Sequence, residues 1–151
     1  MGIVMNNAAP AATDFSTRSS EPASFAMLDR LAPYGLSILR IMVGLLFLEH
    51  GMSKLLGFPQ QGHMPAVLTL SWFAGVIEFT GGILLALGLF TRAAAFIMSG
   101  EMAFAYFLSH APRGFFPMLN GGDAAILYCF VFFYLVFAGG GPWSLDALRK
   151  R

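Results

Sequence analysis

Between residues 34 and 138 the chain passes through four apolar stretches. Each is close to the ~20 residues that cover ~30 Å of hydrocarbon at 1.5 Å per residue. They run over about residues 34–56, 67–89, 93–108 and 123–138. Segments of this kind either bury one another in a large core or lie in a bilayer, and composition decides between the two. Hydrophobic residues make up 57% and charged residues 11% of the chain, and 16 of its 151 residues are Phe. A soluble domain carries about 25% charged residues, and a surface this poor in charge would not keep a globule dissolved. The expectation is an integral membrane protein.

The breaks between the stretches are short. Gly57-Phe58-Pro59 ends the first, Pro65 precedes the second, and Thr91-Arg92 reverses the chain between the second and third. The longest link runs from Pro112 to Gly122. Links this short make neighbours antiparallel, so the predicted fold is all-α, a transmembrane antiparallel four-helix bundle over residues 33–151. Residues 1–32, rich in Ala, Ser, Pro and Asn, read as a disordered or loosely structured tail without the ordered parts of a signal peptide. Within the tail, residues 25–31 could form a short interfacial helix. Lys and Arg set the orientation: Arg18, Arg30, Arg92, Arg149, Lys150 and Arg151 collect on one side, and Lys54 and Arg113 on the other. This imbalance puts both termini in the cytoplasm, with the protein multi-pass in the plasma (inner) membrane.

Charge in the middle of a bilayer costs roughly 2.5–3.5 kcal/mol per residue, so each such residue calls for a reason. The first stretch holds Arg40, Glu49, His50 and Lys54; the second holds Glu78, the third Glu101, and Asp123 opens the fourth. At 100° per residue Arg40, Gly44, Phe47, Gly51 and Lys54 share one narrow stripe, which marks a face packed closely inside the bundle. Glu49 points the other way. Glu78 is flanked by Gly75 and Gly82, which leave room for a partner. Depth, from the rise per residue, pairs Lys54 with Asp123 and brings Arg40 within reach of Glu78 or Glu101. The expected central pair is Arg40–Glu78. Such charges serve either as internal ion pairs that fix helix register or as an acid–base site for a lipid-soluble ligand or protons. The candidate residues for that site are Glu78, Arg40, Glu101, Lys54, Asp123 and His50.

Other chemistries find little support. A formal charge of +1 leaves no footprint for nucleic acid. The single cysteine, Cys129, allows no internal disulfide, thiolate zinc site or iron–sulfur cluster. His50, His63 and His110 all fall toward the outer side and fit a bis-histidine haem poorly, so no metal site is expected. Neither a dinucleotide fingerprint nor a P-loop is present. A redox role would need a diffusible quinone or a partner subunit.

The runs LRIMVGLLFLEHGMSKLLGFP, GVIEFTGGILLALGLFTR and NGGDAAILYCFVFFYLVFAGGGPWSLD resemble the DoxX family of small four-span membrane proteins. The likeness covers about residues 34–146. It rests on Arg40, Gly44, Phe47, Gly51 and Lys54, then Glu78, Gly81, Gly82, Gly88 and Thr91, then Asn120, Gly121, Gly122, Asp123 and Tyr128. Asp123 stands where the family more usually has Glu. The resemblance implies the fold and the membrane location. It also implies company with quinone-linked respiratory or redox-defence complexes, while distant eukaryotic relatives are linked to receptor assembly. Two main readings follow. One is an accessory subunit of a quinone-linked membrane redox system, binding a quinone and a redox-enzyme partner subunit. The other is a non-catalytic assembly factor or helix-packing partner, with homo-oligomerisation open in either. A small-solute transporter fits less well, because four spans offer little room and none is broken.

Overall fold

A computed structural model describes residues 23–59 and 64–149; most of the expected tail, residues 1–22, lies outside them. Every regular element among the described residues is helical. Helix α1 spans Ala23–Leu56, α2 Leu70–Leu87, and α3 Thr91–Ala105. The last continues without a break into a π-helical turn, Tyr106–His110, and a 3-10 turn, Ala111–Arg113. Short α4, Pro117–Asn120, precedes α5, Asp123–Ala138, and α6, Leu145–Leu148, follows it. One boundary departs from the sequence reading. Residues 23–32, expected in the tail, form the first turns of α1, which is 34 residues long with Pro33 inside it. That length corresponds to ~51 Å. The proline removes one backbone donor, and the Pro33 carbonyl accepts a 3.2 Å bond from the Ser37 hydroxyl.

Two helices, Phe25–Leu56 and Leu70–Leu87, are long and apolar enough to cross a membrane, and α5 is a shorter apolar helix. The outward faces are apolar too. Phe96, Phe104, Phe107, Leu127, Phe130 and Phe137 are each 64–70% exposed. An aromatic belt of that extent suits acyl chains and not water.

Helix α1 lies antiparallel on α2 with almost no side chain between them. A Cβ on Gly44 would stand 2.8 Å from the Ala86 nitrogen, and one on Gly51 would stand 2.6 Å from the Phe79 Cα. From the other side, a Cβ on Gly82 would meet the Leu48 nitrogen at 2.6 Å and one on Gly75 the Lys54 Cβ at 2.9 Å. Lipid supplies no hydrophobic drive for helices to associate, so close backbone contact and its dispersion energy hold the pair. A second antiparallel pair, α3 with α5, is pinned where the Ser99 hydroxyl donates to the Cys129 carbonyl at 2.9 Å and Arg92 to the Val136 carbonyl at 2.8 Å. The pairs meet through Phe47 on α1, whose ring lies edge-on to Phe132 of α5 at 4.8 Å, and through Met98 of α3 seated on Gly81 of α2.

At the end of the molecule nearest the 88–90 turn the chain is clasped. Arg40 is fully buried and donates only to backbone: to Gly140 at 2.8 Å, Ala86 at 2.9 Å, Trp143 at 2.5 Å, and Leu85. Two of these carbonyls end α2, where the helix dipole favours a cation. The expected Arg40–Glu78 pair is therefore absent. Arg40 faces a helix terminus and the 140–143 segment instead, because orphan carbonyls compete for a guanidinium as well as a carboxylate does. Asp146 closes the same end. Its carboxylate accepts from the Phe90 and Thr91 backbone nitrogens at 2.9 and 2.8 Å, which caps α3, and its own nitrogen donates to Gly88. Gly88 has φ +68, and a Cβ there would collide with Ser144 and the Arg40 guanidinium, so only glycine fits this corner. Partial burial pushes the Asp146 carboxyl up, but the Thr91 and Phe90 hydrogen bonds and nearby Arg149 outweigh it and hold the group below its ordinary range.

Gly51→Ala should lower the melting temperature of the detergent-solubilised protein, at a cost of about 1–3 kcal/mol from overpacking against α2. Leu46→Ala, on an exposed position of the same helix, should cost much less, and equal losses would show that the glycine face is not the packed one. The Asp146 clasp carries a pH signature. A lowered folded-state pKa contributes stability that is present above the unfolded value of ~3.9 and lost as pH falls through the folded value. The gap in melting temperature between wild type and Asp146→Asn should stay constant above about pH 5 and close below about pH 4. A gap unchanged at pH 3 would show that the carboxylate charge does not matter.

Candidate functional site

Between the two helix pairs lies a cavity of about 1190 Å³. It exists because α2 and α3 touch where Met98 lies on Gly81 and part toward the end opposite the clasp. Its walls are largely apolar, from Phe47, Ile77, Ile97, Met102, Phe104 and Phe133. Set into them are Lys54, Glu78, Glu101 and His50 from the sequence-derived candidates, joined by His110 and Tyr128.

Lys54 Nζ lies 2.5 Å from Glu78 Oε1, with the Lys side chain 32% and the Glu side chain 3% exposed. The partner of Glu78 is thus Lys54 and not Arg40. Lys54 also does not pair with Asp123, which stands exposed at the start of α5 and accepts only from the Ala124 nitrogen at 3.0 Å. Depth along a helix axis misjudged both pairs, because a lysine stem spans about one helical turn and Lys54 reaches back from the rim to Glu78. The second oxygen of Glu78 and both oxygens of Glu101 are buried with no hydrogen-bond partner. Buried polar atoms without partners are rare, since each forfeits the bond it made to water, and three around one cavity make it the candidate site.

The histidines are oriented by their backbone partners. His50 Nδ1 lies 2.8 Å from the Leu46 carbonyl and His110 Nδ1 3.2 Å from the Asn120 carbonyl. Carbonyls only accept, so Nδ1 carries the proton in each ring. Tyr128 lies against Phe47 at 5.4 Å and edge-on to His50 at 6.1 Å, forming an aromatic floor between α1 and α5. His110 ends the π-helical turn, a form often found at functional sites. Sequence reasoning placed His110 at a helix end without joining it to the carboxylates. The wider π winding carries the helix wall round the cavity, and no residue pattern announced it. Of the six candidates, four meet at the cavity, while Arg40 belongs to the clasp and Asp123 to the surface. Glu49 is exposed and takes no part.

The DoxX family model matches residues 35–111 of the chain, which covers α2, α3, the π turn and all of α1 beyond its first turns. Arg40, Lys54, Glu78 and Glu101 fall inside the match, and Asp123 and Tyr128 lie beyond it. An uncharacterized protein of Haemophilus influenzae is 50% identical over 125 residues, covering 79% of this chain and 93% of its own length. An uncharacterized membrane protein of Mycobacterium tuberculosis is 29% identical over 153 residues, covering 89% of this chain and 94% of its own. No solved structure matches. With glycine-packed apolar helices, a lipid-suited exterior and a family match over half its length, the chain is a membrane protein of the DoxX family.

Proposed function

We propose that the protein is a four-span, antiparallel inner-membrane bundle whose cavity holds the head group of a lipid-soluble quinone, as an accessory subunit of a quinone-linked redox system. The observation that carries this reading is the set of three partnerless carboxylate oxygens inside an otherwise apolar cavity of about 1190 Å³. Ligand pockets are mostly apolar with a few convergent polar groups, and a cavity of roughly 300–1,000 Å³ already accommodates a drug-sized molecule. A quinone ring with part of its tail matches that chemistry. When bound, a quinone supplies two-electron, two-proton chemistry. The chain's own residues hold and position the ring: Phe47 and Tyr128 offer aromatic faces, and Lys54 fixes Glu78. Glu78 and Glu101 are placed to exchange protons with a head group, as intramembrane carboxylates do in proton relays. The electrons of a bound quinone would be exchanged with a partner subunit.

The proposed spans are the part of α1 beyond Pro33, α2, the run from Thr91 to His110, and α5. Arg30, Arg92 and Arg149 lie at the clasped end and Lys54 and Arg113 toward the other, a bias that supports a cytoplasmic clasp. A second reading, a non-catalytic assembly factor, is favoured by one observation: Arg40 is wholly spent on backbone carbonyls, so part of the intramembrane charge is structural.

Extraction of the protein with its native lipids, followed by mass spectrometry, should recover an isoprenoid quinone near one per chain. Recovery of phospholipid alone, with a stoichiometric protein partner, would replace this reading with the assembly factor. For topology, in a Cys129→Ser background, Met118→Cys should react with an impermeant thiol reagent added to intact cells, and Leu148→Cys should react only after lysis. The opposite pattern would invert the orientation.

A further inference from the structure

The polar lining of the cavity is lopsided. Glu78 Oε2 and both Glu101 oxygens are buried and accept hydrogen bonds from nothing. On the donor side, Lys54 gives one of its three N–H groups to Glu78 Oε1 at 2.5 Å, the Ser99 hydroxyl bonds the Cys129 carbonyl, and no donor in the lining bonds the three partnerless oxygens. Tyr128, Ser71 and Ser109 add hydroxyls to the lining. Placing a proton on Glu101 turns one of these acceptors into a donor and leaves the others as they were. In either state most of the buried cavity atoms left without a partner are acceptors.

A ligand completes such a site only by bringing donors. The oxidised form of a quinone presents two carbonyl oxygens, which accept and cannot donate, so it would set acceptor against acceptor and leave the buried carboxylate oxygens unsatisfied. The reduced, dihydroxy form presents two O–H groups. Hydroxyl-to-carboxylate bonds are among the short, strong ones, and in a water-poor cavity they gain further from the low dielectric. Resting on the quinone reading above, we propose that the cavity recognises the reduced dihydroxy head group in preference to the dione, with Glu101 and the free oxygen of Glu78 as the acceptors. Lys54 acts as a positioning residue. By occupying Oε1 of Glu78 it turns that carboxylate so that Oε2 is left for the ligand.

The test is an anaerobic equilibrium-binding measurement on the full chain in nanodiscs with three probes of one shape: decylubiquinone, its quinol, and the dimethyl ether of that quinol. The ether keeps the ring and tail of the quinol and removes both donors. The quinol should bind at least about tenfold more tightly than either other probe, the worth of a charge-assisted hydrogen bond or two. Glu101→Gln, which puts an amide donor in place of a carboxylate oxygen, should erase most of that preference. Should that variant fail to fold, the three-probe comparison on wild type decides alone. Equal binding of all three, or tighter binding of the dione, would overturn the preference and keep the quinone reading. Binding of none would overturn both.

Discussion

Along Gly44, Gly51 and Gly82 the backbones of α1 and α2 come into direct contact, with Gly75 against the Lys54 and Leu55 side chains, and the rest of the molecule is arranged around that contact. In a membrane, apolar side chains gain nothing by leaving lipid for protein, so shape is what makes two helices prefer each other. Four missing side chains let the axes approach, and close approach fixes rotation and register together. With that register Lys54 lies beside Gly75, one helical turn from Glu78, and its ammonium reaches the carboxylate. A slip of one residue would turn either charge toward lipid. The ion pair thus depends on the glycines, and not the reverse.

The α2–α3 contact follows the opposite rule. Gly81 is covered by the Met98 side chain, so here a side chain and not backbone contact joins the two helices. A cavity is the natural result of two tight pairs joined by a loose seam. Its floor is aromatic, where Phe47, Tyr128 and Phe132 close the gap between α1 and α5. The two ends of the molecule therefore differ in kind. The clasped end spends its charge internally, with Arg40 on four carbonyls and Asp146 on two backbone nitrogens. At the cavity end, charge is left unspent, on Glu78 Oε2 and on Glu101. Spent and unspent charge thus lie at opposite ends of the molecule.

Much of this was legible in the chain itself. Four apolar runs with very little charge require a membrane, because burial of every outward-facing Phe in a soluble core of this size is impossible. The 4-3-4-3 spacing of Arg40, Gly44, Phe47, Gly51 and Lys54 also marks a single helix face, since helical periodicity is a property of sequence alone. The start of α1 was less legible: Pro33 and the Ser- and Ala-rich residues before it look like a boundary, yet the helix runs through, because a proline costs one bond and its neighbours keep theirs.

What the sequence determined was which residues are buried and on which face; what the tertiary structure decided was which buried groups meet. Arg40 shows why. Its partners are the carbonyls of Leu85, Ala86, Gly140 and Trp143, and every residue has a carbonyl, so no side-chain pattern can announce them. Lys54 and Glu78 show it again, since a flexible stem lets the charge sit a full turn from its own Cα. The gathering of His110 with Glu101 needed the π-helical turn of Tyr106–His110, a change of winding with no signature in residue type. Periodicity along one helix is local and can be read from the chain; the partner across a gap is fixed only when the other helix arrives.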